Sequence, residues 1–359
     1  MNMYERLLSV MRGSRAWFWL GLLLVVAATA SGVILVLHDG HTRDSPSTLV
    51  EALVPMLTAG AGAVAWLWTQ ARPPAPLPLE RAADELATQL REQWAQVAAE
   101  RGLIHPAPIP VRWRWSCRQV AGPPSEAVEG TCAPLPGMAA VTVDDLRSGT
   151  TEDLFRVYAG LGSGRLIVLG EPGAGKSGAG IRLLRDALDH RAALEPEERA
   201  RVPVPVLVTP QGWDPTVEPF AEWLARRLRR DYILLRAPEY GGDTALRLIK
   251  GDHLTVIFDG LDEMPQALRS TAMRALHEQV TFRLVVLSRT EELVPAVRGD
   301  PLHGAAVLEL LPVGPKQAAE YLASSKIDPL PPRWQYLIDH LRQDPDGALA
   351  RALDTPILR

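Results

Sequence analysis

Cysteine is scarce: Cys117 and Cys132 are the only 2 in 359 residues, too few for a disulfide framework or a cysteine-based zinc site. Lysine is nearly absent too. Lys176, Lys250, Lys316 and Lys326 account for all of it, and arginine supplies the rest of the 38 basic residues. A lysine that closes a glycine-rich stretch therefore stands out. A surplus of charge is also missing. The net charge is −4, which leaves no global pull toward nucleic acid or an anionic surface. No internal repeat occurs, which excludes a repeat array. The length allows two or more domains, each with a core of its own.

Charge is locally absent as well. "AWFWLGLLLVVAATASGVILVLH", Ala16 to His38, has no Asp, Glu, Lys or Arg. As a helix it would rise roughly 34 Å, enough to cross a hydrocarbon core of about 30 Å. "ALVPMLTAGAGAVAWLWT", Ala52 to Thr69, is near the minimum spanning length, and membrane helices tolerate its proline and glycines. Arg6, Arg12 and Arg15 precede the first run, Arg72 and Arg81 follow the second, and the short loop holds Asp39, Asp44 and Glu51 against Arg43. This bias places both ends inside the cell. Trp17, Trp19, Trp66 and Trp68 then form a belt on the cytoplasmic side. The competing readings are a signal peptide cleaved at "ATA", a buried core helix for the first run, and a re-entrant segment for the second. The expectation is a two-helix transmembrane anchor over residues 1–70, with the rest of the chain at the cytoplasmic face of the cell membrane.

Residues 71–150 read as a connecting region. "ARPPAPLPLE" is a stiff linker. Leu79, Ala83, Leu86, Leu90, Trp94 and Val97 then mark an amphipathic helix that ends near Gly102. A stripe of this kind reads as ordinary packing against a neighbour, with coupling of the membrane segment to the nucleotide domain as the alternative. "HPAPIPVRWRWSC" alternates like a strand, and no chemistry is assigned to the Pro- and Gly-rich stretch up to Thr142. "ARRLRRD", Ala225 to Asp231, is the one dense basic patch; it reads as a solvated helix face, with an anionic partner as the alternative.

The chemistry concentrates between Gly164 and Thr290. "GEPGAGKS", Gly170 to Ser177, follows the buried strand "LIVL" and precedes the helix "IRLLRDALDH". Strand, G-x-x-x-x-G-K-S and helix in succession read as a phosphate-binding loop. Gly170, Gly173 and Gly175 let the backbone turn its N–H groups inward, and Glu171, Pro172, Ala174 and Gly178 complete the cradle. Lys176 bridges phosphates, and the Ser177 hydroxyl joins a magnesium shell. "HLTVIFDGLDE" adds a strand that ends at Asp259, the second magnesium-shell residue, since strand ends of buried parallel sheets project into the ligand crevice. Asp262 and Glu263 follow; either could position the attacking water, or both could be a helix-start charge pair. "FRLVVLSRT" places Arg289 at another strand end, where it could sense a γ-phosphate; alone, such a residue would be a surface arginine.

These motifs, in this order, resemble the NACHT family of signal-transducing NTPases within the class called STAND. "IFDGLDE" is similar to the family's acidic motif, whose spacing differs from that of AAA+ proteins. "VPVPVLVTPQGWDP" with "FAEWLARRL", "LELLPVGPKQAAEYL" and "LDTPILR" resemble segments of actinobacterial-type members. The resemblance implies an α/β P-loop NTPase fold, with a five-stranded parallel sheet and the arginine-bearing strand between those of the phosphate loop and the acidic motif. It also implies ATP or GTP with Mg, a signalling switch that forms homo-oligomers when active, and a place in bacterial signalling or anti-phage defence. Gly178 and Gly180 depart from the family, which carries bulkier residues there.

The expected organisation is therefore a hairpin (1–70), a connecting region (71–150), an NTPase core (151–312) and the start of a helical domain cut short at Arg359 (313–359). The expected activity is slow hydrolysis by Lys176, Asp259, Asp262, Glu263 and Arg289. A nucleotide-stabilised membrane scaffold without turnover and a membrane-tethered AAA+-like ATPase are the alternatives. No direct nucleic-acid partner is expected, because an aromatic-basic groove signal is missing.

Overall fold

The computed structural model describes residues 77–103, 108–298, 302–324 and 331–353. The chain divides into two compact units, Met1–Ala75 and Pro76–Arg359, and every described residue belongs to the second. The expected transmembrane hairpin lies outside the described residues. Among the described residues, no helix is long and apolar enough to cross a membrane.

A seven-stranded mixed sheet organises the fold. Its strands are β1 (Arg112–Trp115), β2 (Ser148–Thr150), β3 (Arg165–Leu169), β4 (Val204–Val208), β5 (Leu254–Asp259), β6 (Leu284–Ser288) and β7 (Ala306–Leu310). Their order across the sheet is β2-β1-β7-β3-β6-β5-β4. The five strands from β7 to β4 are mutually parallel. β3, β5 and β6 are nearly continuous runs of buried apolar residues, as strands covered on both faces require. β6 sits between β3 and β5, the order expected for the strands of the arginine, the phosphate loop and the acidic motif.

Two further strands were not anticipated as part of this sheet. β1 pairs antiparallel with β7 and carries β2 on its outer edge. The connecting region thus supplies one side of the sheet. In β1 the alternation predicted from "RWRW" holds: Trp113 is buried while Arg112 and Arg114 face solvent.

Helices cover both faces. The helix Lys176–Ala193 lies on the face bearing Leu207, Ile257 and Leu287, where Gly180 makes the close approach. The helix Gln266–Gln279 covers the opposite face, with Met273 and Leu276 beside Ile167, Leu284 and Val286. Phe258 on that second face joins Trp213, Phe220 and Trp223 in an aromatic cluster; Trp213 lies 5.1 Å from Phe220 and 5.8 Å from Phe258 between ring centroids.

The amphipathic helix runs from Leu79 to Glu100 and buries Ala83, Leu86 and Leu90 in the main core. Ordinary packing accounts for its stripe. The basic patch is likewise matched locally: Arg226 pairs with Glu218 at 2.6 Å, and Arg227 and Arg230 pair with Asp231 at 3.1 and 2.9 Å. After β7, the helices Pro315–Ser324, Pro332–Gln343 and Ala348–Ala352 share a smaller core of their own, into which Ile109 inserts. Of the family-like segment "LDTPILR", Leu353 to Arg359, residues 354–359 lie outside the described residues. Both cysteines are free thiols.

Candidate functional site

The site is built where β3 and β5 end. β3 stops at Leu169, and the chain needs two left-handed turns before the helix begins: Gly173 has φ 81° and Gly175 φ 89°. Side chains other than glycine meet these conformations at a steric cost. Gly175 precedes the helix directly, and no side chain caps it. The first-turn N–H groups, which no helix can satisfy internally, are left for whatever enters from outside. Lys176 folds back across the loop. Its Nζ donates to the carbonyls of Gly170 at 2.8 Å and Glu171 at 2.9 Å. Burial lowers the Lys176 pKa, with the Asp262 and Asp259 charges acting against burial and Arg289 acting with it.

Asp259 is the last residue of β5 and points at the same place. The Ser177 hydroxyl, one residue past the lysine, lines the same cavity beside its carboxylate. Burial raises the Asp259 pKa; the nearby Ser177 hydroxyl opposes the rise, Asp262 adds to it, and Lys176 and Arg101 oppose it more weakly. Motifs separated by several helices and the strand β4 therefore bring a hydroxyl, a carboxylate and an ammonium group into one cavity.

Gly260 then turns the chain away with φ 86°. This left-handed conformation is what favours glycine here, and a Cβ would also lie 2.9 Å from Cδ of Glu263. Leu261 to Glu263 form a short 3₁₀ turn anchored by the buried Leu261. This turn gives the two acids different fates. Asp262, with a side chain only 10% exposed, accepts from Nε of Arg289 at 2.8 Å. Glu263 is exposed and forms no ion pair among the described residues. The arginine at the end of β6 is thus held against the acidic motif.

One cavity of about 670 Å³ gathers these groups. Pro172, Gly173, Gly175, Lys176, Ser177 and Gly178 line it from the loop, and Asp259, Asp262, Glu263 and Arg289 line it from the sheet. Three predicted loop residues do not reach it. Gly170 and Glu171 instead lend carbonyls to Lys176, and Ala174 is buried beneath the loop.

The cavity also has walls that sequence reasoning missed. Arg101 at the end of the amphipathic helix, Leu103, and Pro108, Ile109 and Val111 from the strand-like stretch after it form one wall. Its backbone is held in place: the Thr151 N–H donates to the Val111 carbonyl at 2.8 Å, and Gln317 donates to the carbonyl of Pro110. Nothing local in that segment signals this role. Ile181, Arg182, Arg185 and Asp186 form a further wall. These were discoverable, because they follow Gly178 at helical spacing and so continue its face.

The fold and site together are those of an α/β protein with a mixed sheet, compatible with a P-loop-like arrangement. Comparison with protein-family models, curated proteins and solved structures returned no match.

Proposed function

We propose that the chain is a nucleotide-dependent switch of NACHT and STAND type that binds ATP or GTP with magnesium and hydrolyses it slowly. One observation carries the reading: Ser177 and Asp259, from separate motifs, line the same cavity as Lys176, with the hydroxyl near enough to the carboxylate to oppose the rise in its pKa. A hydroxyl and a carboxylate are hard oxygen donors of the kind magnesium takes alongside phosphate oxygens. The metal, when bound, neutralises phosphate charge. Lys176 contributes a compact positive charge to the phosphates, and the uncapped N–H groups after Gly175 contribute directional donors. Glu263, which is not engaged by Arg289, is the better placed of the two acids to orient and deprotonate water. Asp262 holds Arg289 at the cavity. A γ-phosphate that attracted Arg289 would compete with that ion pair and so distinguish triphosphate from diphosphate.

A switch needs differential affinity, roughly 5.5 kcal/mol to move a population from 1:99 to 99:1. Membrane anchoring and signalling belong to the same proposal and rest on the apolar runs Ala16–His38 and Ala52–Thr69 and on the resemblance.

The test uses the full chain, purified in detergent with magnesium and either ATP or GTP. Wild type is expected to bind one of them, and Lys176→Ala to lose at least about a hundredfold in affinity. Equal binding by the two proteins, or none by wild type, overturns the reading. Tight binding with turnover no greater than that of the Asp262→Ala/Glu263→Ala double variant would instead establish the scaffold alternative.

A further inference from the structure

Arg269 lies outside every motif, on the helix that follows the acidic turn, and its side chain is only 14% exposed. All three guanidinium nitrogens are used. Nη2 donates to the carbonyl of Asp262 at 2.8 Å, Nε donates to the carbonyl of Met264 at 2.9 Å, and Nη1 pairs with Glu292. The two carbonyls flank Glu263. Glu292 stands on the helix Thr290–Ala296, which begins immediately after Arg289. One planar fork therefore grips the backbone on both sides of the free acid and ties it to the element that carries the arginine.

We propose that Arg269 is a positioning residue that fixes Glu263 in the cavity and couples the acidic turn to Arg289. The proposal rests on the nucleotide reading for its kinetic consequence, but the clamp itself does not. Arg289 holds the Asp262 carboxylate and Arg269 holds the Asp262 carbonyl, so the turn is gripped through side chain and backbone at once. The Glu263 and Met264 amides, bonded to Gly260 and Leu261 at 2.8 and 3.1 Å, report whether the turn stays closed. A lysine keeps the charge but loses the fork, so it cannot hold two carbonyls and a carboxylate together.

The experiment compares wild type, Arg269→Ala and Arg269→Lys as full chains, by amide exchange without nucleotide and by Kd and kcat with magnesium ATP. In Arg269→Ala the Glu263 and Met264 amides are expected to exchange about tenfold faster, with β5 protection unchanged. Its kcat is expected to fall about a hundredfold while Kd stays within about twofold. Arg269→Lys should fall between the two proteins on both measures. Unchanged exchange at Glu263 and Met264, or parallel loss of β5 protection and affinity, overturns the clamp. Should Arg269→Ala fail to fold, Arg269→Lys decides the matter on the same two measures. Absence of turnover in wild type counts against the nucleotide reading alone, since exchange still decides the clamp.

Discussion

Asp259 is a carboxylate that its surroundings discourage from ionising. Its pKa is higher folded than the ordinary 3.8 because burial outweighs the Ser177 hydroxyl and the Lys176 charge. The folded chain then holds this proton more tightly than the unfolded chain does. Stability from the group is complete below the ordinary carboxyl value and is lost as pH rises through the raised one. Asp259→Asn is therefore expected to raise the thermal midpoint at neutral pH, with the gain shrinking toward zero as the pH is lowered below 4, while magnesium-dependent nucleotide binding is lost. A lowered midpoint at pH 7 would show that the hydroxyl and ammonium contacts outweigh desolvation. Lys176 carries the opposite shift for the same reason. Both groups place stability at the site below its attainable value, a common relation between function and fold.

The helix after the phosphate loop contains two glycines that resemble one another in sequence and differ in space. A Cβ on Gly180 would fall 2.5 Å from Cδ1 of the buried Leu287. Around Gly178 the nearest such atom is Leu103 Cδ2, at 3.8 Å. Alanine improves helix propensity by up to about 1 kcal/mol at either position. At Gly180 overpacking of about 1–3 kcal/mol opposes that gain, because Leu287 is buried in the core. Gly178→Ala is thus expected to stabilise the chain modestly and Gly180→Ala to destabilise it, as read by urea unfolding. Two shifts of the same sign would refute this account of the departure from the family pattern at Gly180. The sequence showed both glycines as anomalies, and the distance to the neighbouring strands separates them.

Across the whole molecule, the region before the phosphate loop is part of the sheet rather than a tether to it. Trp113 on β1 is buried, donates from Nε1 to the Thr150 carbonyl at 2.6 Å, and lies against Gly149, where a Cβ would come within 2.5 Å of its ring. The same region delivers Leu103, Pro108, Ile109 and Val111 to the cavity wall. Ile109 also belongs to the core of the C-terminal helices. Trp113→Ala is expected to cost about 3–5 kcal/mol and to weaken nucleotide affinity although the residue is not in the cavity. A loss of stability with affinity unchanged would mean that the wall does not depend on the sheet edge. The alternation of "RWRW" identified the strand; its partner, β7, lies nearly two hundred residues later in the chain, and no local pattern names such a partner.

Local chemistry was enough to place the glycine turns, the buried strands and the acids at their ends, because left-handed backbone and unbroken apolar runs leave few alternatives within a short stretch of chain. Sheet order brought Ser177 to Asp259 and Arg289 to Asp262, since contacts across the fold depend on which strands become neighbours. The Arg269 clamp was the least legible of all. Two of its three partners are main-chain carbonyls, which every residue carries, and only their convergence in space distinguishes them.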